Sequence, residues 1–283
     1  MLKLGPWQLE TVTGGRFWLD AGVMYGIIPK AVWQGVTPAN SQNRIPVGIH
    51  CILARNGEQT VLIDTGHGDK LSPLDRSAHA LEKTPVLLDS LAALGVEAED
   101  VDMVVFSHLH WDHAGGATRL AEDRRCRATF PRATYFVNRL EWEDANSGVP
   151  ELAGSYAAEN FVPLSESGQL VLVDGEVELA PGLWTRPTGG HTRGHQALVF
   201  ESGDEAALYL GDLCPVVGNL RRMWITAYDL YPMETRQRKP QMLGEVADRG
   251  WWMLWDHDPN VAVSRIARHA SREFVVVDGR AQL

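Results

Sequence analysis

The sequence predicts a mixed α+β fold, extended sheets covered by helices, and three observations carry that expectation. Short runs rich in β-branched and apolar residues recur along the whole chain, the early ones follow one another as a meander, and helical stretches arrive between the later ones. No internal repeat, low-complexity tract or long linker interrupts the 283 residues, so 1–283 reads as one domain. At this length about three quarters of the unfolded surface can be buried, enough for a large core.

Taken in order, residues 17–33 (FWLDAGVMYGIIPKAVW) carry large apolar groups broken by Gly22, Gly26 and Pro29. That pattern suits a covering segment rather than a core helix, and 17–45 is read as a cover or a dimer contact in a homodimer. Met24 and Tyr25 within it are candidate substrate contacts. Strands are expected at 47–53, 60–64, 103–107, 134–137, 170–173, 183–185, 197–200, 206–210, 251–255 and 274–277. Helices are expected at 85–94, with Thr84 as N-cap and Pro85 in the first turn, at 139–146, and at 234–249. Pro240 should end or kink the last of these.

Charge and cysteine content exclude several classes. The chain has 26 Lys+Arg against 36 Asp+Glu, a formal charge of -10, which repels phosphate backbones and disfavours a nucleic-acid partner. The basic cluster Arg124, Arg125, Arg127 and Arg132 reads as a solvated face. Three cysteines, Cys51, Cys126 and Cys214, have no paired spacing, which suits a reducing compartment. No window approaches the ~18 apolar residues of a membrane span, and the start lacks a signal-length apolar core, so a cytoplasmic protein without a membrane partner is expected.

The chemistry concentrates in FSHLHWDHAGG, 106–116. Four ligand-type residues, His108, His110, Asp112 and His113, follow an apolar run that reads as a buried strand. In an extended turn His108, His110 and Asp112 converge while His113 points to a second centre, and Gly115 and Gly116 allow close backbone packing. Further candidates sit where other strands end: His191 in TGGHTRGH, Asp212 in LGD, and His257 in WDHD. Together they make two shells rich in nitrogen and oxygen.

This ordered set resembles the metallo-β-lactamase-fold hydrolase superfamily, which shares the motifs Asp, HxHxDH, His, Asp and His in that order. The matching residues are Asp64 in LIDTG, then His108, His110, Asp112 and His113, then His191, Asp212 and His257. The resemblance implies a four-layer αββα sandwich of two mixed sheets with a two-metal site at one edge. It implies that His108, His110 and His191 hold one metal, that Asp112, His113 and His257 hold another, and that Asp212 bridges them. Asp64 matches a supporting aspartate that orders the site.

Two divalent ions so held can carry a bridging hydroxide at neutral pH and polarise a carbonyl or phosphoryl oxygen. Asp112 is then placed to pass a proton to the leaving group. Zinc is the first choice, and the donor set also suits iron, manganese, cobalt or nickel. Cys214 reads as an apolar wall residue, His195 as an ordering partner of the ligands. His67, on the loop after Asp64, is open between substrate contact and plain exposure. Tyr228 in WITAYDLYP is open between substrate contact and packing; lactonases of the group carry a tyrosine shortly after the bridging aspartate, and GDLCPVV has none.

The expected function is metal-dependent hydrolysis of a small-molecule lactone, ester or phosphotriester. Absence of a long insertion between His113 and His257 argues against the nucleic-acid-processing members, and the lack of a C-terminal helical domain against glyoxalase II. Two other classes compete. One is a persulfide dioxygenase with a single iron; the other is a non-catalytic, metal-stabilised binding protein.

Overall fold

The computed structural model describes residues 1–82 and 87–283, and among these the strands form two seven-stranded sheets and a two-stranded ribbon. The first sheet is ordered β1 (Leu2–Leu4), β2 (Trp7–Asp20), β3 (Arg44–Arg55), β4 (Thr60–Ile63), β5 (Met103–Val105), β8 (Thr134–Asn138) and β9 (Leu170–Val173). The ribbon is β6 (Thr118–Leu120) with β7 (Cys126–Ala128). The second sheet runs β10 (Val177–Ala180), β11 (Leu183–Pro187), β12 (Gln196–Ser202), β13 (Glu205–Tyr209), β14 (Trp252–Leu254), β15 (Val263–His269) and β16 (Glu273–Arg280). The helices are α1 (Ala21–Tyr25), α2 (Lys30–Trp33), α3 (Pro73–Ala78), α4 (Leu87–Ala93), α5 (Trp111–Ala114), α6 (Arg139–Ala145), α7 (Val162–Glu166) and α8 (Pro232–Arg249).

Alternation along the strands builds the layers. Ile52, Ala54, Val61, Ile63, Met103 and Val105 of the first sheet meet Leu198, Phe200, Ala207, Tyr209 and Leu254 of the second in one core. The intervening Cys51, Leu53, Leu62 and Val104 face outward under Leu87 and Leu91 of α4 and Leu164 of α7. On the far side, Val199, Leu208 and Met253 pack against Met242, Leu243 and Val246 of α8. Strands covered on both faces read as unbroken apolar runs, which is why the central strands are visible in the sequence. The result is the expected αββα sandwich.

Every expected strand is present, and β1, β2, β6, β7, β10 and β15 are additional. β2 is the longest, and its polar middle, TVTGGR, carries a register shift between Thr13 and Gly15 that hides its period. Residues 17–20 complete this strand, so the apolar 17–33 stretch is strand first, then α1 and α2. Thr84 and Pro85 lie outside the described residues, and the helix expected there is described from Leu87. α8 runs through Pro240 rather than ending at it. The buried Lys239, Met242, Leu243 and Val246 hold α8 on both sides of the missing N–H. Among the described residues no helix is long and apolar enough to cross a membrane.

Strand direction gathers the loops. β4, β5 and β8 pair in parallel, and so do β13 and β14, so the C-terminal ends of each set open on one edge. β12 runs antiparallel to β13, which brings the loop before it to the same edge.

That edge is closed by 215–231, pinned by a buried amine. Lys239 Nζ donates to Asn219 O at 2.7 Å and Trp224 O at 2.5 Å. Burial pulls the Lys239 ammonium down to about 8, against opposing pulls from Cys214, Asp229 and Glu273, with Arg236 adding to the depression. Between that value and the ordinary 10.5 the unfolded chain binds more protons than the native one, so the contribution of this group to stability rises with pH. Unfolding free energies measured in urea should therefore show wild type gaining on Lys239→Met as pH climbs from 8 towards 10.5. A constant difference would remove the buried ammonium as the titrating group.

Candidate metal centre

Asp64 follows β4 with φ at 56°, a left-handed conformation that aspartate tolerates better than most residues. Its carboxylate accepts from Ser107 N and Ser107 Oγ, both at 2.7 Å, from His113 Nδ1 at 2.8 Å and from Tyr209 OH at 2.9 Å. The loop after β5 is thereby fixed to β4 and β13. Close backbone approach finishes the turn: a Cβ on Gly116 would lie 2.1 Å from Thr65 O.

Two groups of side chains converge on this edge. His108, His110, His191 and Asp212 offer one ligand atom each within 4.8 Å of one another, and so do His113, Asp212, Asp256 and His257. Asp212 belongs to both. Its Oδ2 lies 3.0 Å from His191 Nε2 and 3.7 Å from His108 Nε2, while its Oδ1 lies 3.0 Å from His257 Nε2 and 3.7 Å from His113 Nε2. Within the first group His191 Nε2 faces His110 Nδ1 at 3.1 Å, and within the second His257 Nε2 faces His113 Nε2 at 3.2 Å.

The outward nitrogens are already engaged. His191 Nδ1 meets Asp229 Oδ1 at 2.9 Å, His257 Nδ1 meets Gly48 O at 2.7 Å, His113 Nδ1 meets Asp64, and His108 Nδ1 lies 3.0 Å from Ser107 Oγ. Such partners fix the tautomer and leave a lone pair pointing inward. His108 Nε2 is buried with no hydrogen-bond partner at all. Facing nitrogen lone pairs around an orphaned atom fit a cation, and the nitrogen and oxygen donors fit a divalent one.

Electrostatics give the same picture. Burial opposes charge on His113 and His191, yet Asp112, Asp212 and Asp64 push His113 up to about 9, and Asp212 with Asp229 push His191 up to about 10. Burial, then neighbouring imidazoles, hold His108 and His110 well below the ordinary histidine value. Against its own burial, Asp212 is held well below the usual carboxylate range by His191, His257 and His113. Buried carboxylates here draw in positive charge, which divalent ions supply.

The other sequence candidates divide. Asp112 lines the cavity over the centre, with Oδ2 3.6 Å from His257 Nε2 and Oδ1 3.9 Å from His113 Nε2, outside the tighter second group. Met24 and Tyr228 also line that cavity, together with Phe17, Leu19, His79 and Trp111. Tyr25 does not. It is the last residue of α1 and fully buried, hydrogen-bonded to Thr37 and stacked on Trp33 at 5.7 Å. His67 lies outside the cavity lining as well, buried against Gly15 with Nδ1 2.6 Å from Gly68 O. His195 bonds Thr188 Oγ1 at 2.6 Å rather than a ligand ring, and burial pushes the Cys214 thiol up to about 12 within the outer core.

Three contributors escape sequence reading. Asp229 follows Tyr228 directly. Glu141 of α6 is fully buried and joins both histidine loops, accepting from Leu109 N at 2.9 Å, Thr192 Oγ1 at 2.5 Å and Tyr156 OH at 3.0 Å. Asp256 sits in WDHD beside His257, so its signal was present in the motif itself; burial pushes its carboxyl up to about 8.

Comparison with known proteins identifies the fold and the family. A crystal structure of a probable metal-dependent hydrolase from Staphylococcus aureus superposes with a TM-score of 0.89 at 28% identity, covering 98% of this chain and 99% of the other. A dizinc quorum-quenching lactonase solved with a product bound gives a TM-score of 0.80 at 21% identity, over 98% and 95% of the two chains. An N-acyl homoserine lactonase of Bacillus cereus is 28% identical over 205 residues, 69% of this chain and 70% of the relative. The sequence profile of the metallo-beta-lactamase superfamily matches residues 44–240, and with the αββα sandwich and the clustered His and Asp side chains at its edge, the chain belongs to that superfamily.

Proposed function

We propose that this metal-dependent hydrolase works with two divalent ions, zinc first among them, and cleaves a small lactone, with other esters and phosphotriesters as related substrates. The observation that carries the reading is Asp212, whose two oxygens each face one of two converging ligand groups on the cavity floor. His108, His110 and His191 would hold the first ion, Asp112, His113 and His257 the second, with Asp212 between them and Asp64 supporting. When bound, such ions supply a nucleophilic water at neutral pH and a Lewis acid for the substrate oxygen.

The chain supplies the rest. Asp112 faces the cavity and takes the proton of the attacking water, then delivers it to the alkoxide oxygen as the carbonyl carbon–oxygen bond breaks. Asp229 and Asp64 keep His191 and His113 in the tautomer that points Nε2 inward. Residues 17–45 contribute Phe17, Leu19 and Met24 to the cavity wall. Phe17 meets Trp111 edge-on at 5.4 Å, and His79 stacks on Trp111 at 4.4 Å. This apolar side suits an acyl chain, and the relatives named as N-acyl homoserine lactonases support the choice of a lactone.

Plasma emission should find close to two metals per chain, and the same sample should hydrolyse members of a panel of lactones, aryl esters and phosphotriesters. One iron per chain with oxygen consumption on a persulfide would replace the hydrolase reading with a dioxygenase, and tight metal without any turnover would leave a binding protein. Trp111→Ala should raise KM for long-chain acyl lactones about tenfold or more and spare short-chain ones, as expected when an aromatic contact of about 1.4 kcal/mol is lost; equal changes for both would put the acyl chain elsewhere. Glu141→Ala unties both histidine loops and should weaken first-site metal affinity about 10- to 100-fold in a chelator competition. Unchanged affinity would make Glu141 a folding residue only.

A further inference from the structure

Asp256 is a carboxylate the two-metal scheme does not use. It leaves β14 one residue before His257, its backbone carbonyl accepts from His50 N at 2.7 Å, and its side chain is 2% exposed. Neither carboxylate oxygen accepts a hydrogen bond, and the side chain faces the carboxylate of Asp212. A buried ionised carboxylate without a partner is strongly disfavoured, so such a group persists only where a cation or a proton meets it. Its surroundings favour a cation. Oδ2 lies 3.8 Å from His257 Nε2, and one oxygen joins His113, Asp212 and His257 in a set of ligand atoms all within 4.8 Å of one another.

The two acids beside this set are placed differently. Asp112 lines the cavity and is outside the tight set; Asp256 is inside the set and does not line the cavity. A ligand on the cavity side is the one that substrate and water contact, and a ligand on the protein side can stay fixed through turnover.

We propose that Asp256 is a further direct ligand of the second metal, approaching from the protein interior while Asp112 approaches from the cavity side. This rests on the two-metal reading. It makes the second site richer in carboxylate than the three-histidine first site, so the second site should accept a hard divalent ion such as manganese more readily than the first.

The test uses the full chain stripped of metal and titrated with zinc against a chromophoric chelator, with metal content checked by plasma emission. Asp256→Asn preserves shape and can donate to Asp212 as a protonated acid would. If Asp256 is a ligand, this variant should lose second-site zinc affinity at least about tenfold while first-site affinity and the circular dichroism spectrum stay as in wild type. The cobalt(II) form should show the change independently, as an altered visible absorption of the second ion. Asp256→Asn holding both zinc ions with wild-type affinities and an unchanged cobalt spectrum would overturn the proposal and leave the two-metal reading intact. Wild type binding a single zinc would overturn both.

Discussion

One carboxylate sets the geometry of the centre. Asp212 stays ionised in a buried position because His191, His257 and His113 surround it, and its two oxygens divide the imidazoles into two groups. The backbone that delivers it is correspondingly constrained. It follows β13 in a tight turn where Gly211 adopts φ of 52°, and a Cβ there would stand 2.9 Å from His195 Nε2 and 3.2 Å from Ser107 Cβ. A larger residue would force apart the β5 loop and the β12 loop, which carry the histidines that Asp212 faces.

The outer partners tie this centre to every layer of the sandwich. Asp64 comes from the first sheet and bonds Tyr209 of the second, Gly48 of β3 accepts from His257, Glu141 comes from α6, and Asp229 from the loop that Lys239 of α8 pins. Each of these groups is buried, so each loses more by being left unpaired than it gains by pairing. Assembly of the centre and packing of the layers are therefore coupled: the same hydrogen bonds satisfy buried polar groups and aim the imidazole lone pairs.

What was legible in the sequence follows from how local its cause is. His108, His110, Asp112 and His113 lie in six consecutive positions, and their meaning comes from a single turn. His191, Asp212 and His257 are single residues at strand ends, interpretable only as an ordered set. Asp229 and Glu141 act through partners 38 and 32 positions away in the chain and have ordinary surroundings in sequence, whereas Asp256 stands directly before His257 in WDHD and is told from its neighbours only by where its side chain points. The same division holds for the fold. Strands buried on both faces announce themselves as apolar runs, whereas β2, half polar and bulged, and β15, broken by Ser264, Arg265 and Arg268, do not. Tyr25 shows the converse failure, an aromatic beside a cavity-lining methionine that a short helical turn sends the other way.

The ligand loop also limits how freely substrate choice can vary. Trp111, the largest aromatic of the cavity wall, stands between His110 and Asp112 and begins α5. Its ring is held by Phe17 of β2 and by His79 beyond α3. Moving that ring to admit a bulkier substrate means moving the turn that aims His110, Asp112 and His113, unless the change comes from Phe17 or His79. Those two residues belong to elements that contribute no member of either ligand group. Variation in the wall is therefore mechanically cheapest at the end of β2 and in the loop after α3, and most costly at Trp111, where specificity and metal geometry share one helical turn.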